Sequence, residues 1–462
     1  MSRAWSMLIA FAVVSGGSAA SRPAWAAFDT EVLSAVEPDK PLPDIHLGLT
    51  FDRRMKRARI AREWIQENNG TFEARDVKEL KYSETVQRLL IDLRVGIFRD
   101  LELHAQAPIV LSDESDIVFA DGVEGSSTIF GSSNANDPNF SYRYPLTSVP
   151  ATRRRAGFGD MTFGLSWSPF VDRKDPSWPT VTLRADVITP TGPVRDPKDQ
   201  RALVGVDGSG DVGLGTLTFD VSLALSKRTR IRAPYLDPYV VFGSRLPIAV
   251  GEQRDRGLEP PVSGRLKLGT AIVMAERGRD EEKYSIDLGF GVRMIGAGRT
   301  YSELSDYLPD FDQTRVPATI VYTDYDNPAN YAAQVDGASC GILNGVPCGE
   351  LNWVEQHMML TGTLAVLIQP SRWVRFRLGV DATFTTNHVI TGERVGDDTD
   401  PPSAAGRMCG STTCLGRVNV LNSLDQDERS RFYDPRYDEV GRRLIAEQIL
   451  SLRLFLTTFI TF

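Results

Sequence analysis

Residues 287–294 read Asp-Leu-Gly-Phe-Gly-Val-Arg-Met, with every second side chain apolar and the intervening ones charged or glycine. Residues 161–168 (Met-Thr-Phe-Gly-Leu-Ser-Trp-Ser) and 374–384 follow the same rule. Successive side chains of a strand point to opposite faces, so this period of two predicts strands with unlike faces. Nine segments have a clear register: 88–97, 101–108, 161–168, 181–188, 216–225, 265–274, 284–295, 357–368 and 373–384. In all nine, the face bearing Leu, Ile, Val, Phe and Met holds no Asp, Glu, Lys or Arg. The opposite face holds Arg88, Asp92, Arg94, Glu102, Arg184, Asp186, Asp220, Arg265, Lys267, Asp287, Arg293, Arg375, Arg377 and Asp381. A charge facing hydrocarbon at mid-bilayer costs about 2–4 kcal/mol, whereas one facing water costs little. Such a purge fits a wall between lipid and water. A soluble sandwich core would be purged as well, so alternation alone establishes only a two-faced sheet.

The last segment separates these readings. Leu450, Leu452, Leu454, Leu456, Ile460 and Phe462 share one face of a strand. An apolar edge strand left exposed on a soluble protein invites aggregation, whereas a closed barrel pairs it with the first strand. Phe462, Ile460 and Leu456 resemble the assembly signal of bacterial outer-membrane proteins. The expected fold is therefore all-β: a closed antiparallel transmembrane barrel of about twelve strands, with long extracellular loops and short periplasmic turns.

Spacing supports that count. Short connections near 98–100, 171–177, 227–234, 277–282 and 369–372 alternate with long ones at 66–81, 110–157, 189–211, 248–262, 297–352 and 387–443. Strands follow at 44–65, 82–97, 100–109, 158–170, 178–188, 212–226, 235–247, 263–276, 283–296, 353–368, 373–386 and 444–462. Fourteen is the rival count. The first strand is the least regular, because Arg53, Arg54, Lys56, Arg57, Arg59 and Arg62 crowd its upper half. We read that half as projecting beyond the bilayer, with a helical end as the alternative.

Composition narrows the class. Of 462 residues, 42% are hydrophobic and the net charge is −8, which argues against disorder and against bulk nucleic-acid binding. After the leader, no run approaches the roughly 18 apolar residues a membrane helix needs. Residues 1–26 read as a signal peptide, with Arg3, an apolar run at Met7–Val14 and Ala24-Trp25-Ala26 as a cleavage site. Residues 27–43 are then a periplasmic segment and 44–462 the barrel. In an oxidising compartment, the close pairs Cys340/Cys348 and Cys409/Cys414 predict two local disulfides in the two longest outer loops. A metal site is the other reading, but no His accompanies these cysteines and neither spacing is C-x-x-C.

Two stretches carry a family resemblance. Residues 95–103 (Val-Gly-Ile-Phe-Arg-Asp-Leu-Glu-Leu) lead into Ala107-Pro108-Ile109-Val110. Gly157-Phe158-Gly159-Asp160-Met161 opens a strand whose successor ends at Thr189-Pro190-Thr191-Gly192-Pro193, and Gly208–Gly215 follows. Over residues 85–295 the chain resembles the outer-membrane barrel family labelled "MetA-pathway of phenol degradation". That resemblance implies a transporter-like barrel for aromatic or other hydrophobic compounds, without catalytic residues to carry over.

Adding Arg453, the predicted inward face holds nine basic and six acidic residues. One reading is a basic channel that favours anions. The other is a set of Arg–Asp/Glu ladders holding strands in register in a narrow lumen. The ladder reading suits the limited room, with a weak anion preference left over. His46, His104 and His357 also fall inward. Asp381, Asn387 and His388 form the only group suggestive of rim catalysis, and no G-x-S-x-G, H-E-x-x-H or P-loop occurs. The chain is therefore read as a passive channel without cofactor or resident metal, a plugged structural barrel and an outer-membrane enzyme being the alternatives. Its expected partners are outer-membrane lipid and lipopolysaccharide, the barrel-assembly machinery and a small-molecule solute. Arg153-Arg154-Arg155 are a candidate contact to anionic head groups. Asp324–Asn327 and Asp397–Asp400 are candidate Ca²⁺ or solvated loops.

Overall fold

The alternating segments pair edge to edge and close on themselves. In a computed structural model of the chain, twelve antiparallel strands form a closed barrel with four short strands added at one end. The structure describes residues 30, 32, 44–68, 71–98, 100–123, 128, 151–172, 174–197, 209–230, 232–277, 282–308, 349–371, 373–393, 435–438 and 443–462. The wall runs β1 (Asp44–Asn68), β2 (Thr71–Phe98), β3 (Leu101–Phe119), β5 (Met161–Phe170), β6 (Thr180–Thr189), β7 (Thr216–Ser226), β8 (Tyr235–Ala249), β9 (Ser263–Arg277), β10 (Glu282–Ile295), β13 (His357–Ser371), β14 (Val374–Thr385) and β16 (Leu444–Thr461). Pairing of β1 with β16, from His46 opposite Thr461 to Arg62 opposite Leu444, closes it. The additions are β4 (Ala151–Phe158), which pairs with the upper part of β3, and β11 (Gly298–Thr300), β12 (Asn352–Val354) and β15 (His388–Thr391), which join β16 through β15.

Some expectations fall where the structure describes nothing. Cys340, Cys348, Cys409 and Cys414 all lie outside the described residues, so neither expected disulfide, Cys340–Cys348 or Cys409–Cys414, is shown. The signal-peptide residues, Asp324–Asn327 and Asp397–Asp400 lie outside them too.

Twelve wall strands agree with the expected count, but two expected connections are shorter than the sequence spacing suggests. In place of the outer loop expected at 66–81, β1 and β2 run as one long hairpin, paired out to Asn68 opposite Thr71 with one register shift between Ile60 and Ala61. The expected loop at 110–157 also loses its ends, because β3 continues to Phe119 and β4 begins at Ala151. The upper half of β1 is strand throughout, so the helical alternative fails. At the opposite end, β2 turns into β3 through Asp100 at φ 60°, a left-handed position that Asp tolerates better than most residues.

The faces divide by level. Around the short-turn half, the outward residues are apolar and exposed: Leu47, Leu49 and Phe51 on β1, Leu93 on β2, Phe163 and Leu165 on β5, Phe290 on β10, and Leu454 and Leu456 on β16. Inside this half, bulky side chains lie across glycines of neighbouring strands. A Cβ at Gly379 would strike the Phe455 ring, and one at Gly269 would strike Tyr239. These glycines let rings lie flat against the wall of a narrow barrel.

At the long-loop end the rule reverses, and the interior becomes an apolar core of Ala58, Ile60, Leu80, Tyr82, Ile117, Leu304, Tyr307, Leu308, Ile390, Tyr437, Leu444, Ala446 and Ile449. A bulge makes part of this core possible. The β1–β16 register shifts between Arg57 and Arg59, beside Gln448 at φ 51°. One extra residue in β16 swaps which parity faces inward, so Leu444 and Ala446 join Ile449 in the interior.

Candidate functional site: the barrel interior and its closure

Most of the candidate inward charges meet one another. Arg88 donates to both carboxylate oxygens of Asp52, at 3.2 and 3.1 Å. Arg453 reaches Asp52 at 3.3 Å and Asp381 at 3.4 Å, and Thr363 donates to Asp381 at 2.8 Å. Arg94 holds Asp92 at 2.8 Å and faces Glu102 at 3.7 Å. His104 and Arg184 share Asp186 at 2.7 and 2.9 Å, and the His104–Asp186 bond arches over Gly164. Asp287 accepts from Tyr239 at 2.9 Å and from Arg377 at 3.0 Å. Arg375 donates to Gln369 at 3.0 Å, and Lys267 lies 5.6 Å from the Tyr239 ring centre. Arg94–Asp92 and Arg184–Asp186 lie within one strand, whereas Arg88–Asp52, Arg453–Asp52, Arg453–Asp381 and Arg94–Glu102 tie neighbouring strands together in a narrow enclosure. His46 is bonded to Asp44 and Thr461, each at 2.9 Å.

The long-loop end of the interior is occupied by residues 301–308, Tyr-Ser-Glu-Leu-Ser-Asp-Tyr-Leu. Leu304 and Leu308 are 0% and 1% exposed, seated against the inward residues of β1, β2, β3, β15 and β16. Charges anchor the rest. The Asp306 carboxylate takes two bonds from Arg155 at 2.8 Å and a further one from Arg195, while Arg153 donates to the Asp306 carbonyl at 2.9 Å. Burial would raise the Asp306 carboxyl, but the Arg195 and Arg155 guanidiniums hold it below its ordinary value. Burial acts likewise on Glu303. Lys56 at 2.6 Å and His388 at 3.9 Å outweigh it and keep that carboxyl well below the usual range. The Tyr307 hydroxyl bonds both the side chain and the carbonyl of Ser115, each at 2.9 Å. Tyr301 donates to the Arg195 carbonyl at 2.7 Å. At the other end of the barrel, the Thr30 carbonyl accepts from Thr182 at 2.7 Å and its hydroxyl donates to Ser226 at 3.0 Å.

Several sequence-based expectations change here. Arg153 and Arg155 are buried on Asp306, so they are not head-group contacts; only Arg154, 3.0 Å from Glu114, points outward. Alternation along β4 explains the split. Asp381 and His388 have separate partners: Asp381 is engaged by Thr363 and Arg453, while His388 stacks on His357 at 4.3 Å and faces Glu303. Among the described residues, no cluster of His, Cys, Asp and Glu is suited to a metal; the alternative of a metal held by Cys340, Cys348, Cys409 and Cys414 falls outside them. Sequence reasoning missed Asp52, Arg195 and Arg245, and it missed the part of Lys56, Arg153, Arg155 and His388 as anchors of residues 301–308. Asp52 continues the alternation of β1 and was legible; the others lie far apart along the chain.

The motifs behind the family resemblance converge. The Asp160 carboxylate accepts from the amides of Gly192 at 3.1 Å and Leu214 at 2.8 Å, and Thr191 accepts from the Met161 amide at 2.8 Å. Val194 pairs with Gly213, and a Cβ at Gly157 would strike Gly210. Three separated stretches thus knot together where β4 gives way to β5.

No protein-family model matches the chain, so the resemblance over residues 85–295 stands as a resemblance. No curated protein matches it in sequence. Among solved structures, it is similar to an outer membrane channel from Pseudomonas putida F1, at 9% identity and TM-score 0.37, covering 92% of this chain and 100% of that one. A Pseudomonas aeruginosa FadL homologue matches at 8% identity and TM-score 0.31, covering 90% of each chain. The outer membrane protease OmpT from Escherichia coli matches at 6% and 0.28, covering 92% of this chain and 99% of that one. Likenesses this distant, to channels and a protease alike, decide nothing about what this chain does.

Proposed function

We propose that the chain is an outer-membrane channel of a Gram-negative cell for passive passage of small solutes, held here in a closed state. On this reading the exposed apolar half contacts lipid, the short turns face the periplasm, and residues 301–308 close the extracellular mouth. The observation that carries it is a closed wall whose outer face is apolar while its inner face holds accessible ions. Side chains of Arg88 and Arg453 are each 34% exposed inside that wall, so the ion pairs do not fill the lumen. The family resemblance extends the reading to aromatic and hydrophobic solutes, and rings such as Tyr239, Phe455 and Phe459 line the interior.

A second reading, a structural barrel with a permanent plug, is favoured by the burial of residues 301–308. Planar-bilayer recordings separate the two. The protein should conduct weakly or in rare openings, and variants that release Asp306 should conduct steadily. Silence of both would overturn the channel.

A further inference from the structure

We propose that Arg245, Arg265 and Arg293 form a binding site for small aromatic carboxylates on the lumen wall. The inference rests on the channel reading above and names a solute class for it. The three guanidiniums come from adjacent strands β8, β9 and β10, at one level: Asp220 pairs with Arg245, Gly243 with Arg265, and Arg265 with Arg293. Among the described residues, one carboxylate serves the group. Asp220 accepts from Arg245 at 3.1 Å and from Arg265 at 2.8 and 3.1 Å, while Arg293 donates to the Ser263 hydroxyl at 2.8 and 3.2 Å. Among the described residues, two positive charges are left over.

This balance differs from that of the other lumen pairs. Arg88 and Arg453 face Asp52 and Asp381, and Arg94 faces Asp92 and Glu102. Like charges directly opposite on neighbouring strands destabilise a sheet, so Arg265 opposite Arg293 is a poor structural device. It is a good anion receptor, because guanidiniums bind carboxylates through two parallel bonds.

Access and shape agree. Asp220 is buried beneath the group, yet the side chains of Arg245 and Arg265 remain 36% and 38% exposed within the closed wall. Gly243 makes this posture possible: a Cβ there would crowd Nε, Cγ and Cζ of Arg265, which lies flat across it. Two residues along β8, about 7 Å away by strand geometry, Val241 packs on the apolar cluster of Tyr239 and Ala271. Cations beside half-buried Val241, with Lys267 paired opposite it and lying over the Tyr239 ring, match a carboxylate attached to one ring.

The test is titration of benzoate, with benzyl alcohol as the uncharged control, into the full-length protein in detergent at low salt, read by calorimetry. Benzoate should bind and benzyl alcohol should bind at least about tenfold more weakly, as expected for loss of charge-assisted bonds. Arg293→Gln and Arg265→Gln should each weaken benzoate by about tenfold, and Asp220→Asn, which removes the competing carboxylate, should strengthen it. Absence of benzoate binding to the parent, equal binding of the alcohol, or unchanged binding in both arginine variants would overturn the site. Each variant is first checked for heat-modifiable barrel migration on gels. A protein that conducts in bilayers but ignores benzoate refutes this inference and leaves the channel standing. A silent protein that binds benzoate does the reverse.

Discussion

The two ends of the barrel solve opposite problems with the same period. Along β1, Ile45, Leu47, Leu49 and Phe51 point outward and His46, Thr50 and Asp52 inward. A few residues later Arg53 and Arg57 point outward, while Ala58 and Ile60 are buried inside. The paired strand changes at the same level: Ile91 and Leu93 are exposed below, whereas Val86, Tyr82 and Leu80 are interior above. Asp52 opposite Arg88 marks the reversal. Neither strand turns over there; only the chemistry of the alternate positions does. In the proposed membrane setting, the lower half is an inside-out protein facing lipid, and the upper half is an ordinary apolar core wrapped in a charged surface. Residues 301–308 are what that core is packed around.

If the upper half is a conventional core, its buried ion cluster should be its most sensitive point. Asp306→Ala leaves Arg155 buried without its carboxylate and Arg195 with only Asp113 at 3.9 Å, a loss of about 3–5 kcal/mol in docking of residues 301–308. Steady bilayer conductance and faster proteolysis within 301–308 are the expected readouts. A variant as silent and resistant as the parent would break the comparison, since the cap would then not depend on its anchors. Leu304→Ala acts on the apolar side of the same contact and should cost about 2–5 kcal/mol, measured as a lower urea midpoint for the protection of that segment.

The lower half should respond to charge instead. Leu454→Arg places a cation on the exposed apolar face at 45% exposure and should cost about 2–4 kcal/mol in urea titrations of the protein folded into lipid vesicles. Normal folding of this variant would deny that the face meets hydrocarbon. Acid should loosen the upper half. The Glu303 and Asp306 carboxyls have folded values below their ordinary ones, so their contribution to docking is complete above the ordinary carboxylate range. It is lost as pH falls through the folded values. Open probability should therefore rise only below the ordinary carboxylate range, and less than in Asp306→Ala, because a protonated carboxyl still accepts hydrogen bonds. An opening that instead follows rising pH would contradict the assignment of these two anchors.

The lower half is largely legible in the sequence because one physical rule, no charge on alternate positions, holds along strand after strand. The upper half obeys the opposite rule for a few residues per strand, so Arg53, Arg57 and Arg59 look like a disturbance of β1 when they are its water-facing side. The first hairpin reads too short for a related reason: Asn69-Gly70, a strong two-residue turn signal, sits inside a polar stretch that spacing alone makes a loop. Residues 301–308 have no period at all. Their fit depends on Lys56, Arg155 and Arg195, contributed by distant parts of the chain, and no local pattern encodes such a meeting. Candidate lumen charges are readable one strand at a time, but which arginine shares which aspartate depends on register and side-chain reach. That is why Arg245 escapes a strand-by-strand reading although it completes the group around Asp220.

The smallest effect tests the same boundary from outside. Arg59 faces Glu447 across the β1–β16 seam at 3.4 Å, both partly exposed, in the charged surface of the upper half. Surface pairs of this kind contribute about 0–1 kcal/mol. Arg59→Gln should therefore leave conductance unchanged and shift the urea midpoint slightly, with the shift shrinking further as salt screens the pair. A cost rivalling that of Asp306→Ala would mean that the outer surface of this half carries its stability. The apolar core would then be a consequence of the hairpin's register, and residues 301–308 would be a passenger on it.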